Sequence, residues 1–114
     1  MKKKRKTYLF VCRANVDRSR TAEDVCRGIA QHRGLAIDAA SAGMSEAADN
    51  PLTQEQADKA DLIFVMEEWM KKELLTKFKQ PAGKVICLNI PDEFRRGDVL
   101  LQRMLRDALM PYLA

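Results

Sequence analysis

Cys12 is followed six places later by Arg18 and then Ser19, in the run Val11-Cys12-Arg13-Ala14-Asn15-Val16-Asp17-Arg18-Ser19. A cysteine is a nucleophile as its thiolate, and an arginine presents a planar fork of donors matched to two oxygens of one phosphate. The five residues between them are enough to wrap a loop around a tetrahedral dianion with backbone N–H groups turned inward, as in an anion-binding nest. A helical pattern from Thr21 onward would add the partial positive charge of its N-terminus to the same point. Such surroundings favour thiolate over thiol, and the thiolate is the form that attacks phosphorus. Ser19 can hydrogen-bond the Cys12 sulfur, and Asn15 can brace the tight loop through its side chain. The candidate phosphate cradle is therefore Arg13, Ala14, Asn15, Val16, Asp17, Arg18 and Ser19, with Cys12 at its centre.

The elements that must hold this loop are legible around it. Thr7 to Cys12 is an aromatic and β-branched run suited to a buried parallel strand, and a helix follows from about Thr21 to Arg33, closed by Gly34. Leu35 to Gly43 alternates enough for a second strand. Thr53 is the N-cap of a short helix reaching roughly Ala60, with Gln56 completing a capping box. Leu62 to Met66 is a continuous apolar run and hence a central strand. A third helix covers Glu67 to about Phe78, with Trp69, Met70, Leu74 and Phe78 expected to pack. Pro81-Ala82-Gly83 ends it, Lys84 to Leu88 is the fourth strand, and the last helix runs from about Asp98 to Tyr112.

Strands alternating with helices imply right-handed crossovers and an α/β fold: a three-layer, doubly wound domain with a four-stranded parallel sheet and helices on both faces. The order 2-1-3-4 would put Cys12 beside the switch point between the first and third strands, where open sheets bind ligands.

With 114 residues, 46% hydrophobic and 32% charged, the chain reads as one globular domain. It divides into a basic N-terminal arm over residues 1–6 and a single folded domain over residues 7–114. Five of its 20 basic residues lie in Lys2 to Lys6, leaving 15 against 16 acidic residues, so the body is nearly neutral. Sparse aromatics, not interleaved with basic residues, give nucleic-acid binding little support. No apolar stretch approaches the roughly 20 residues of a bilayer span, and the short apolar run after the basic start lacks a cleavage-like site, so no membrane contact is expected and the cytoplasm is the expected compartment. Cys12, Cys26 and Cys87 stand at no metal-ligand spacing and His32 is the lone histidine; neither a disulfide framework nor a zinc site is expected, and no cofactor.

Val11 to Glu23 resembles the low-molecular-weight protein tyrosine phosphatases, whose pattern is a near-N-terminal Cys, five residues, then Arg-Ser at the mouth of a small parallel sheet. Asn15, Arg18, Ser19, Ala22 and Glu23 fall where that pattern has the same residues. Ser41-Ala42-Gly43 is similar to the family's Ser-Ala-Gly segment, and Ala60 to Glu67 to its third-strand segment. The nearest likeness is to a short bacterial branch of predicted tyrosine phosphatases, in which Ile-Pro-Asp follows the fourth strand. Three places depart from the pattern: Asp17 stands where many members have a second cysteine, Arg20 where a proline is usual, and Asp92 is followed by Glu93 and Phe94 where the family has Asp-Pro with an aromatic next.

The resemblance implies phosphomonoester hydrolysis through a phosphocysteine, with Cys12 and Arg18 catalytic and Asp92, in Ile90-Pro91-Asp92-Glu93-Phe94, as general acid. As a plain turn residue after Pro91, Asp92 would have no such role. Phe94 is a candidate wall for an aryl phosphate or else core. The implied partners are a phosphotyrosine-containing protein or a small aryl phosphate, with inorganic phosphate as product. Arsenate reduction would require further mobile thiols, and Cys26 and Cys87 lie on apolar faces. A phosphocarrier-like module binding phosphate without turnover is the non-enzymatic alternative. Asp17 bears on it, because a carboxylate facing the dianion would repel it, whereas one turned outward or paired with Arg13 or Arg20 would not.

Overall fold

A computed structural model describes residues 4–113. Four parallel strands, β1 (Lys6–Cys12), β2 (Ile37–Gly43), β3 (Leu62–Val65) and β4 (Val85–Cys87), form one sheet in the order β2-β1-β3-β4. The helices are α1 (Arg18–Arg33), α2 (Gln54–Lys59), α3 (Glu68–Lys77) and α4 (Val99–Leu109). A right-handed crossover from β1 out to β2 puts α1 on one face of the sheet. The crossovers from β2 to β3 and from β3 to β4 run the opposite way and put α2 and α3 on the other. α4 packs beside α1, which completes the expected three layers.

The two central strands are buried on both faces, as their unbroken apolar runs require. Phe10 stacks on Phe64 with centroids 5.1 Å apart, and Tyr8 and Tyr112 meet Phe64 edge-on at 5.3 and 5.2 Å. The Tyr8 hydroxyl donates to the Tyr112 carbonyl at 2.7 Å, tying the chain's last turn to β1. Leu101, Leu105 and Leu109, spaced four apart, bury the inner stripe of α4. Gly34 ends α1 in the left-handed region at φ 66°, with Leu35 N–H bonded to the Ala30 carbonyl at 2.8 Å. The Thr53–Gln56 capping box starts α2.

Several boundaries differ from the sequence reading, by one to three residues. α1 starts at Arg18, three residues earlier than Thr21, because Arg18 and Ser19 already form its first turn and Thr21 N–H reaches the Asp17 carbonyl at 3.0 Å. Lys84 belongs to a 3₁₀ turn (Ala82–Lys84), which shortens β4. Lys6 joins β1 opposite Ile37 and Arg5 forks onto Asp38, so the basic stretch enters the fold at Arg5; Lys2 and Lys3 lie outside the described residues. Among the described residues no helix is long and apolar enough to cross a membrane, and no three His, Cys, Asp or Glu side chains cluster as a metal site.

Candidate active site

β1 delivers Cys12 to the carboxyl end of the sheet, where β2 and β3 diverge, and the chain turns back through Arg13 to Asp17 into α1. The turn is possible because Asn15 adopts φ 56°, a left-handed conformation that asparagine tolerates. The loop's carbonyls point outward and are held there. Cys12, Arg13 and Ala14 accept from the N–H groups of Met44, Ser45 and Asp49 at 2.8, 2.9 and 3.2 Å. The Asn15 carbonyl accepts from Arg20 Nε at 2.8 Å. Among the described residues the N–H groups of Arg13 to Asp17 donate to no protein acceptor, which leaves them for an anion.

Gly43 makes this packing possible. A Cβ there would stand 2.9 Å from the Arg13 carbonyl oxygen and closer still to the Ala48 methyl, so any side chain would push the loop inward. That is the physical content of the Ser-Ala-Gly segment.

Cys12 is buried at the floor of a cleft of about 150 Å³ lined by Cys12, Arg13, Ala14, Val16, Asp17, Arg18 and Asp92. Larger grooves exist, such as one of about 490 Å³ between α1 and α4 beside His32, but that groove contains neither the loop nor a cysteine. Cys12 Sγ lies 3.0 Å from Ser19 Oγ, which lies 2.7 Å from the buried Asn15 Oδ1. The chain of bonds can run from thiol to Ser19 to Asn15. With the Asn15 amide turned over, it runs from Asn15 to Ser19 to a thiolate.

Arg18 is only 3% exposed, and its donors are divided. Nη1 donates to Glu67 Oε2 and to the Ile90 carbonyl, each at 2.7 Å. Nε lies 3.7 Å from Asp92 Oδ1, and among the described residues Nη2 has no partner. One edge of the guanidinium is thus anchored in protein while the Nε–Nη2 edge is left to fork onto an anion.

The structure therefore brings Cys12, Arg18, Ser19 and Asp92 together. Asp92 is 68% exposed and stands at the rim. Phe94 does not line the cleft; it is partly buried against the core. Trp69, expected in the core, is instead exposed, because the α3 stripe that faces inward runs through Met70 and Leu74. Its ring lies 5.0 Å from the Arg13 guanidinium beside the cleft, so Arg13 does not offset Asp17. The Asp17 carboxylate turns outward, as a loop of inward N–H groups favours, but pairs with neither Arg13 nor Arg20: Oδ1 accepts the Arg96 N–H at 2.8 Å.

Glu67 escaped the sequence reading. The available signal was a carboxylate directly after an apolar central strand, at the sheet end where ligands bind. The remaining cysteines lack the features of a thiol relay. Cys26 is fully buried, which pushes its thiol up to about 11, and burial also raises Cys87. Arsenate reduction by relay is accordingly not favoured.

A thiol at the floor of a loop whose N–H groups are left free, on a parallel sheet of this order, is an arrangement suited to a cysteine-dependent phosphatase. The model of the family "low molecular weight phosphotyrosine protein phosphatase" matches residues 7–54, from β1 through the loop and α1 to the start of α2. The protein-arginine-phosphatase of Bacillus subtilis (strain 168) is 28% identical, over 81% of this chain and 76% of the relative. A crystal structure of a YwlE mutant from Bacillus subtilis is similar at TM-score 0.69 and 27% identity, covering 95% of this chain and 93% of that one. The tyrosine phosphatase Wzb from Escherichia coli K30, in complex with phosphate, shares the fold at TM-score 0.76 and 21% identity, over 96% and 97%. Over residues 7–54 the chain is similar to the low molecular weight phosphotyrosine protein phosphatases, and it shares the fold of their solved structures.

Proposed function

We propose that this protein works in the cytoplasm, removing phosphate from phosphotyrosine in proteins, or from small aryl phosphates, through a phosphocysteine on Cys12. The observation that carries the reading is convergence. The Cys12 sulfur, the free loop N–H groups, the open edge of Arg18 and the Asp92 carboxyl all meet at one cleft. The Cys12 thiolate attacks phosphorus in line, the S–P bond forms and the P–O bond to the tyrosyl oxygen breaks. The loop N–H groups and Arg18 hold the equatorial oxygens. Asp92 gives its proton to the leaving oxygen, help typically worth about 10² to 10⁴ in rate. Asp92, now a carboxylate, takes a proton from water, which attacks phosphorus, releases inorganic phosphate and returns the thiolate, stabilised by the Ser19 hydroxyl.

The exposed face of Trp69, with Arg13 against it, supplies a flat wall for an aryl group where Phe94, packed on the core, does not. A second reading, phosphoarginine as substrate, is favoured by the Bacillus subtilis relative named for that activity; a P–N bond would then be cleaved in the same cradle. Purified protein assayed on phosphotyrosine and phosphoarginine peptides, with and without vanadate, separates the two. Cys12→Ser is expected to abolish turnover while still binding vanadate, and Arg18→Lys to be severely impaired, since a point charge cannot fork. Undiminished turnover by Cys12→Ser would overturn the mechanism, and higher kcat/KM on phosphoarginine would transfer the assignment.

A further inference from the structure

The segment that carries Asp92 stands on two feet, and both rest on the phosphate loop. The first is Ile90, whose N–H bonds to the Met66 carbonyl at 2.8 Å and whose carbonyl accepts from Arg18. The second is the turn Arg95 to Asp98, closed by Asp98 N–H to the Arg95 carbonyl at 3.1 Å, with Gly97 at φ 82°. This turn is fastened by Arg96 N–H to Asp17 Oδ1 at 2.8 Å and by Gly97 N–H to Thr21 Oγ1 at 3.1 Å. The Arg96 guanidinium adds an exposed pairing with Asp24 at 3.1 Å. Between the feet, Pro91 to Phe94 form a short arch with Asp92 on its cleft side.

We infer that Asp17 is a positioning residue: its carboxylate, bonded to the Arg96 amide, holds the arch so that Asp92 stands over the Cys12 cleft. The inference rests on Asp92 being the general acid. It assigns a task to the residue least expected in such a loop, since a thiol in its place would be a far weaker acceptor than a carboxylate.

A hydrogen bond to a charged group is worth about a tenfold shift in an equilibrium, so loss of this one should lower the occupancy of the productive Asp92 position by about that factor. The reading is the dependence of kcat/KM on leaving-group pKa across a series of substituted phenyl phosphates. A leaving group that is a stable anion needs little protonation, whereas a poor one depends on the acid. Asp92→Asn sets the reference, with a steep dependence. Asp17→Ala is expected to lose about tenfold on the poorest leaving groups and little on the best, and Asp17→Asn, which keeps an acceptor oxygen, to restore the shallow dependence.

The partner side gives a second test that leaves the cradle untouched. Arg96 occupies the second position of a turn with glycine at positive φ in the third, where proline is at home. Arg96→Pro removes the N–H and should steepen the dependence as Asp17→Ala does, while Arg96→Ala keeps the N–H and should not. A steep Asp92→Asn beside unchanged Asp17→Ala and Arg96→Pro would overturn the tether alone. An Asp92→Asn with the wild-type dependence would overturn the assignment of the acid on which it rests.

Discussion

Glu67 is where the geometry makes its sharpest quantitative demand. Arg18 is almost fully buried, and the pair of bonds from Nη1 to Glu67 and to the Ile90 carbonyl sets the plane of the guanidinium. Two opposing effects follow from removing the Glu67 carboxylate: the fork loses an anchor, and a dianion bound nearby loses a repelling charge. Comparing Glu67→Ala with Glu67→Gln cancels the second, because both variants are neutral and only glutamine keeps an acceptor for Nη1. A hydrogen bond to a charged group contributes about 1.5–3 kcal/mol. Glu67 is itself 36% exposed, so water can reach the vacated position and the lower end applies. At about 1.4 kcal/mol per decade, Glu67→Ala should fall about tenfold below Glu67→Gln in kcat/KM. The assay is steady-state hydrolysis of p-nitrophenyl phosphate, with vanadate inhibition expected to weaken in parallel and thermal melting to verify that both variants are folded. Folded variants agreeing within about twofold would refute the claim that Glu67 orients Arg18.

Four further outcomes are expected. Trp69→Ala should raise KM for aryl phosphates by about two- to tenfold, the range of an aromatic contact, and leave acetyl phosphate unaffected; equal effects on both would remove Trp69 from the substrate wall. Gly43→Ala should lower both the melting temperature and kcat, since the new methyl meets the Arg13 carbonyl and Ala48, with overpacking costing about 1–3 kcal/mol; wild-type values in both would contradict the close approach. Peroxide should oxidise Cys12 to sulfenic and then sulfinic acid without an intramolecular disulfide, because Cys26 is sealed in α1 and the loop holds no second thiol beside Cys12; mass spectrometry finding Cys12 bridged to Cys26 or Cys87 would refute this. Folded Cys26 holds its proton to about pH 11 against an ordinary value of 9.0, so between these the folded state binds more protons and stability falls as pH rises. Denaturant melts from pH 8 to 11 should show a smaller decline in Cys26→Ala.

Local chemistry was enough to read the cradle and the sheet. The run before Cys12 is apolar because a central parallel strand is buried on both faces. Cys12, Arg18 and Ser19 sit within one loop, so their spacing alone states that they can meet. Asn15, Gly34 and the Thr53–Gln56 box announce a braced tight loop, a helix stop and a helix start through their own side chains or lack of one. What lay beyond the sequence were partnerships between segments far apart in it. Glu67 reaches Arg18 across 49 positions and Asp17 reaches the Arg96 amide across 79, through one rotamer each, and no periodicity encodes a rotamer. Trp69 is exposed where packing was expected, and Phe94, open between substrate wall and core, packs on the core, for the same reason. Which apolar residue faces the core is settled by the angle at which α3 and the Asp92 segment lie on the sheet, a property of the packed whole.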